Sequence, residues 1–329
     1  MQASDANSNI AKIRTAVVGV GSLGQHHARN YAELAREGIG SFVGVCDTNP
    51  DQSREIAAKI GCDHFTDWQD LLDKTDAVSI VTPTETHCEI ACEFLENGVD
   101  VLVEKPIALT LEEADMMIEA AERSGAKLMV GHLERFNPAM VALRPHVTRP
   151  LYFEIHRVSP FPNRSLDVDV VLDVMIHDLD AIQWLVESEV SEIRAVGIPV
   201  ISDKVDAANA RIEFANGAVA NITASRIGTE KIRKTRFYQT NSYVVLDYAT
   251  KFASITSLAP NAVHPLLGIS VNRLEVEDIE PLRAEISAFM KCIGEDSPPP
   301  VTAGDGRRAL QLALGVLEKI DAHRNRLQV

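Results

Sequence analysis

The chain of 329 residues lacks any stretch approaching the ~20 consecutive apolar residues that a membrane-crossing helix needs. Aromatic residues are scarce, at 5%, and there are only five cysteines: Cys46, Cys62, Cys88, Cys92 and Cys292. Cys88 and Cys92 stand one helical turn apart, but no second pair completes a zinc site, so reduced thiols and no metal are expected. Positive charge is also in deficit. Lys plus Arg number 32 against 47 Asp plus Glu, a formal net charge of −15. That overall field repels nucleic acid, although a local basic patch could still hold a small anion. The opening MQASDANSNIAK is polar and has no apolar signal core. These absences lead us to expect a soluble, cytoplasmic protein with neither a nucleic-acid nor a membrane partner.

What is present is an ordinary globular composition, 46% hydrophobic and 24% charged. A chain of this length usually divides into two domains. Up to residue 131, short apolar runs alternate with helical patterns. The runs are RTAVVGV (14–20), SFVGVCD (41–47), AVSIVT (77–82), VDVLVE (99–104) and KLMVG (127–131). Near-continuous apolar strands separated by amphipathic helices predict a parallel sheet covered on both faces. After about residue 150 a long helical candidate (168–187) precedes strand-like stretches such as AANARIEFA and SYVVLDY, with a hairpin turn at Ala215-Asn216-Gly217. The expected architecture is α/β. A dinucleotide-binding domain of the Rossmann type spans 1–131, and an α+β domain with a large, mostly antiparallel sheet spans 132–329. Pro138, Pro145 and Pro150 mark the linker between them.

Within AVVGVGSLGQHHARN, Gly19-x-Gly21-x-x-Gly24 follows a strand and opens a helix. Glycines there permit the tight turn through Ser22 and Leu23 and let a pyrophosphate approach the helix N-terminus. The next strand ends in Asp47, whose carboxylate can bind ribose hydroxyls and would repel a 2′-phosphate, so NAD is expected over NADP. In a doubly wound sheet the ligand crevice lies outside the strand carboxyl ends. That puts Thr82, Pro83 and His87 of VTPTETH, and Glu104, Lys105 and Pro106 of VLVEKPIALT, on the cofactor side. Lys105 is either a strand-end lysine reaching water or a lysine held in the cleft for chemistry, and its position after a parallel strand favours the cleft.

In DVDVVLDVMIHDLDAIQWLV (167–186), Asp169, Asp173, His177 and Asp180 form one helical stripe. The stripe could be a solvated face, a metal site, or the polar lining of a cleft; its narrowness on an apolar helix suits the cleft. Asp173, one turn before His177, could orient the imidazole. Against the overall charge, Arg135, Arg144 and Arg149, then Arg157 and Arg164, and later Arg226, Lys231, Arg233, Lys234 and Arg236, cluster as an anion site would require.

These motifs resemble the Gfo/Idh/MocA oxidoreductases over essentially the whole chain. The resemblance rests on the glycine fingerprint with its following His27, on TPTETH and EKPIALT, on Asp173-x-x-x-His177, and on the closing AGDGRRALQLAL. It implies that Lys105 lies near the nicotinamide and that Asp173 and His177 serve proton transfer and hydroxyl positioning. It also implies that the second sheet is a substrate and oligomerisation surface, in a homodimer or homotetramer. The C-terminal helix, 303–323, is expected to pack back on the Rossmann domain. GHLERFNPA, SPFPNRSLDVDVVLDVMIHDLD and TASRIGTEKIRKTRFYQ are similar to family members that oxidise the 3-hydroxyl of UDP-N-acetylglucosamine, whose product a partner aminotransferase uses for lipid A or related glycans. On that resemblance Arg135, Asn137, Arg157 and Arg164 would hold the nucleotide sugar, and Lys105 or His177 would take the hydroxyl proton. Two alternatives remain: a dehydrogenase of the same family acting on inositol or a free sugar, and a non-catalytic dinucleotide-sensing regulator.

Overall fold

A computed structural model describes residues 10–161, 168–258 and 268–327. The chain forms two compact units. The first comprises the chain through Leu133 together with Glu280–Arg308, and the second comprises Glu134–Ile279 and the residues from Ala309 onward.

In the first unit, six parallel strands lie in the order β3-β2-β1-β4-β5-β6. They are β1 (Arg14–Val18), β2 (Ser41–Cys46), β3 (Asp63–Phe65), β4 (Ala77–Ile80), β5 (Asp100–Glu104) and β6 (Leu128–Gly131). Every residue of β4 and β6 is buried, which is why these strands read as continuous apolar runs rather than alternating ones. Four helices connect them: α1 (Gly24–Arg36), α2 (Pro50–Ile60), α3 (His87–Glu96) and α4 (Leu111–Ser124). The sequence supplies their boundaries. Asn49 caps α2 ahead of Pro50, and Gly61 ends it with φ +83°. Thr110 and Glu113 close a reciprocal capping box on α4. The strand order reverses direction between β1 and β4, so the turns after β1, β2, β4 and β5 gather at the carboxyl edge beside that switch. Helix α7 (Pro281–Gly294) packs against α1 and is tied there by Arg29–Glu280 and Arg283–Glu37 ion pairs.

The second unit is built on eight strands in the order β14-β13-β12-β11-β7-β10-β9-β8. They are β7 (Pro150–Val158), β8 (Val190–Ile198), β9 (Ala207–Phe214), β10 (Val219–Ser225), β11 (Ile232–Gln239), β12 (Ser242–Asp247), β13 (Phe252–Leu258) and β14 (Ile269–Arg273). All neighbouring pairs are antiparallel except β7 with β10. The β9–β10 hairpin turns at Gly217, with φ +87°. β7 sits in the middle of the sheet although its sequence begins at a proline. Pro150 is its first residue, where a missing N–H costs least. Helices α5 (Pro138–Leu143) and α6 (Ile176–Val186) pack on the sheet. The long helix α8 (Ala303–Leu327) begins in the first unit and continues in the second from Ala309.

Candidate active site

The turn after β1 shows what each glycine is for. Gly19 has φ +85°, and a side chain there would meet the Val81 carbonyl oxygen at 2.6 Å. A Cβ on Gly24 would strike the Gly19 carbonyl, so α1 can start this close to β1 only without one. Gly21 differs, because a Cβ there would meet no protein atom within 4 Å. Its bareness serves no internal contact and leaves room for a ligand over the turn. No side chain caps α1 at Leu23, and no acidic residue occupies its first turn. The helix start therefore presents backbone N–H groups and a positive dipole end that suit an anion. Asp47, at the end of β2, accepts from the backbone N–H of Val20 at 3.0 Å and of Asn49 at 2.9 Å. Its carboxylate is fixed beside the glycine turn. These features fit a dinucleotide with its pyrophosphate on α1 and an adenosine ribose on Asp47.

After β4, Thr86 donates to Thr82 Oγ1 at 2.7 Å, and Pro83 is exposed. His87 is buried. Its Nε2 lies 3.0 Å from the Thr82 carbonyl oxygen and its Nδ1 lies 3.1 Å from that of Pro106. Burial pushes this imidazole's pKa down, against the pull of the two carbonyls. His87 thus ties the loop after β4 to the loop after β5. Glu104 ends β5 with its side chain turned inward, where Oε1 meets His27 Nε2 at 3.2 Å and Oε2 accepts from the backbone N–H of Lys105 at 3.1 Å. Lys105 is half-buried and its peptide bond to Pro106 is cis. Of the residues expected on the cofactor side, Glu104 and His87 hold the turns in place from behind.

In the second unit the predicted long helix is divided. Val171–Met175 form a π-helical turn, and α6 starts at Ile176. Asp173 lies in the π turn and His177 in the first turn of α6, both half-buried. The polar stripe does not stay together. Asp169 accepts from the backbone N–H of Val205 at 2.8 Å, and Asp180 is buried against Arg135. Asp178, the acid that interrupts the stripe, is buried against Arg157.

The arginines expected to hold the substrate are engaged with the protein. Arg157 Nε and Nη2 both donate to Asp178 at 2.8 Å, and Nη1 donates to Glu134 at 2.7 Å. Arg135 makes a fork with Asp180 at 2.8 and 2.5 Å and stacks over Trp184. Asn137 caps α5, accepting from Ala139 N–H, and donates to Glu134 and to the Tyr248 carbonyl. All three are buried. Burial alone would depress the Arg157 pKa, but Asp178 and Glu134 outweigh it and raise it. Arg135, Asn137 and Arg157, expected to hold the nucleotide sugar, are engaged in contacts within the protein, and a desolvated guanidinium already forked to carboxylates has little to offer the further charge of a pyrophosphate. Arg164 lies outside the described residues. Of the second basic cluster, Arg226 is fully buried against Asp206, and Lys234 pairs with Asp247 at 3.4 Å, while Lys231 and Arg233 are exposed.

Sequence reasoning assigned no role to Glu134, to Asp178, or to Glu285 on α7. The signal was there for two of them. Asp178 breaks the polar stripe of an apolar helix, and Glu285 stands between Leu282 and Phe289 on the buried face of α7; an acid in such a place needs a partner or a proton.

Residues 13–132 match a family model described as the oxidoreductase family with an NAD-binding Rossmann fold, and residues 144–244 match the GFO/IDH/MocA C-terminal domain. A UDP-N-acetylglucosamine 3-dehydrogenase from Acidithiobacillus ferrooxidans is 38% identical over 94% of this chain and 98% of its own length. A solved structure of that enzyme superposes with a TM-score of 0.88 over the same shares. The scyllo-inositol 2-dehydrogenase (NAD(+)) of Bacillus subtilis is 30% identical over 65% of this chain and 68% of its own. A levoglucosan dehydrogenase solved with NADH and levoglucosan shares the fold, with a TM-score of 0.85 at 22% identity over 94% of this chain and 98% of its own. Among the described residues no helix is long and apolar enough to cross a membrane.

Proposed function

The chain belongs to the Gfo/Idh/MocA oxidoreductase family, and on that premise we propose that it oxidises the 3-hydroxyl of UDP-N-acetylglucosamine, or of a closely related nucleotide sugar, to a ketone with NAD. The observation that carries this reading is the 38% identity to a UDP-N-acetylglucosamine 3-dehydrogenase across 94% of the chain, in a sequence that keeps Lys105, Asp173 and His177 together.

Bound NAD supplies the acceptor for the hydride that leaves the sugar carbon. Gly21 leaves space for its pyrophosphate over the turn, the α1 N–H groups receive that charge, and Asp47 takes the adenosine ribose. Lys105 or His177 removes the hydroxyl proton as the carbon–hydrogen bond breaks, and the carbonyl forms on that carbon. Asp173 orients His177 from the preceding turn. Which of the two is the base is decided by activity: Lys105→Met without turnover but with NAD binding intact assigns the step to Lys105, and near-normal turnover removes it. The ketone product is the kind of substrate an aminotransferase converts to an amino sugar. Tyr152 stacked on Tyr238, with Tyr243 tilted against Tyr238 on the same face of the second sheet, suits that face to self-association as a homodimer or homotetramer.

A second reading is an inositol or free-sugar dehydrogenase. Two observations favour it: the likeness to scyllo-inositol 2-dehydrogenase, and the commitment of Arg135 and Arg157 to carboxylates, which removes two cations from a pyrophosphate site. Reduction of NAD is measured with UDP-N-acetylglucosamine, free N-acetylglucosamine and myo-inositol, with the product drawn off by an aminotransferase. Turnover with the nucleotide sugar alone supports the first reading; turnover with the inositol replaces it.

A further inference from the structure

Behind the Glu104–Lys105–Pro106 turn, the first unit buries titratable groups that the proposed reaction does not use. His27 on α1 and Glu285 on α7 are each 0% exposed, and Glu104 is 8% exposed. One ligating atom from each of the three lies within 4.8 Å of the others. His27 Nε2 is 3.2 Å from Glu104 Oε1, and Glu104 Oε2 receives the Lys105 backbone N–H at 3.1 Å. On the other side of the lysine, His87 Nδ1 is 3.1 Å from the Pro106 carbonyl oxygen. Each residue flanking Lys105 is therefore tied to a buried imidazole. Among the described residues, neither carboxyl oxygen of Glu285 has a hydrogen-bond partner, nor has His27 Nδ1. The titratable groups within electrostatic reach of the two carboxyls include Tyr31, one turn after His27 and bonded to Ser79 at 2.9 Å, together with Lys105 and His87. Burial and the neighbouring Glu104 charge push the Glu285 pKa well above the usual carboxylate range. Burial also acts to raise Glu104, but His27 and Lys105 outweigh it and hold that carboxyl low. Two carboxyls in one pocket are thus driven to opposite states, an ionised one at the turn and a neutral acid behind it.

We propose that His27 is a positioning residue for Lys105, fixing the Glu104 carboxylate that grips the lysine backbone, while Glu285 only fills the space behind as a neutral acid, so that a single buried negative charge faces the reacting centre. The inference rests on the reading above that Lys105 works at that centre. A proton suffices to relieve the two carboxyls, and His27 Nε2 is already occupied by Glu104, so the cluster needs no cation.

Two measurements on the full-length protein test this. The first is the infrared absorption of protonated carboxyl groups at neutral pH, wild type against Glu285→Gln. A buried-acid band present in the wild type and missing from the variant is expected. No such band, or one equivalent of a divalent metal in the purified protein, overturns the neutral acid. The second is the pH profile of kcat, with KM for NAD, for Glu285→Gln, His27→Gln and His27→Leu. Glu285→Gln, isosteric with the neutral acid, is expected to keep kcat within about twofold and leave the profile in place. His27→Leu is expected to lower kcat by about tenfold or more and displace the profile with little change in KM for NAD, and His27→Gln, which can still donate to Glu104, to recover part of the loss. A His27→Leu enzyme with an undisplaced profile overturns the positioning role. Lys105→Met run alongside separates the two levels: if it turns over normally the reading of the reacting centre fails, while the infrared result still judges Glu285.

Discussion

At the scale of single residues, the three glycines of the first turn make separable predictions. Gly21→Ala meets no protein atom, so its melting temperature is expected to match the wild type, while its NAD affinity falls by about tenfold or more, roughly 1.4 kcal/mol. Gly24→Ala drives a methyl into the Gly19 carbonyl and is expected to lower the melting temperature as well as cofactor binding. Calorimetry and NAD titration on the two variants read both effects. The motif told us where the glycines stand, but which of them faces a ligand depends on what surrounds each Cβ position. The arginines show the same limit more sharply. Their number implied an anion site, yet a guanidinium has no direction in a sequence, and Arg135, Arg157 and Arg226 turn to Asp180, Asp178 and Asp206. Arg226 and Asp206 are both fully buried, so Asp206→Asn strands a charge and is expected to cost about 3–5 kcal/mol in urea unfolding. Burial works to raise the Asp206 pKa, but N–H donors from Ser202, Ile201 and Val200 pull it well below the ordinary aspartate range. Its stabilisation is therefore complete above the unfolded value of about 3.9 and is lost as pH falls below that. The wild type is expected to lose more stability than Asp206→Asn between neutral pH and acid.

Elements carry their own signals. The capping box on α4 joins Thr110 and Glu113 through bonds of 3.1 Å in both directions. Thr110→Ala is expected to cost about 1 kcal/mol of stability without changing kcat, a result that denaturant titration and steady-state rates together can refuse. Such local chemistry is legible because partner and cap are three residues apart. The three-residue edge strand β3 was not, nor was the central β7, whose leading Pro150 read as part of a linker. The helix predicted over 168–187 contains a π turn over Val171–Met175, where the backbone accommodates an extra residue, beginning two residues after Asp169, which accepts from the Val205 N–H. Spacing rules assume a uniform 3.6-residue turn and do not foresee that.

For the whole molecule, cofactor binding is linked to folding. A ligand that binds only the native state at about 100 times its Kd adds about 2.7 kcal/mol of stability. NAD is expected to raise the melting temperature by a few degrees, and NADP to leave it nearly unchanged at the same concentration, because a 2′-phosphate would face the fixed Asp47 carboxylate. Asp47→Asn should narrow the difference between the two cofactors. Equal shifts in the wild type would remove the assignment of Asp47 to the ribose.

The sequence by itself determined the fold class, the alternation of strands and helices in the first unit apart from β3, the glycine turn and the family. All of these depend on patterns repeated within a few residues or on motifs that hold their spacing. Tertiary structure decided which acids neutralise which arginines, that Glu104 faces His27, and that Glu285 closes the same pocket from α7, more than 150 residues along the chain. Those outcomes depend on the free energy of taking charge out of water, and that depends on what the folded chain brings alongside.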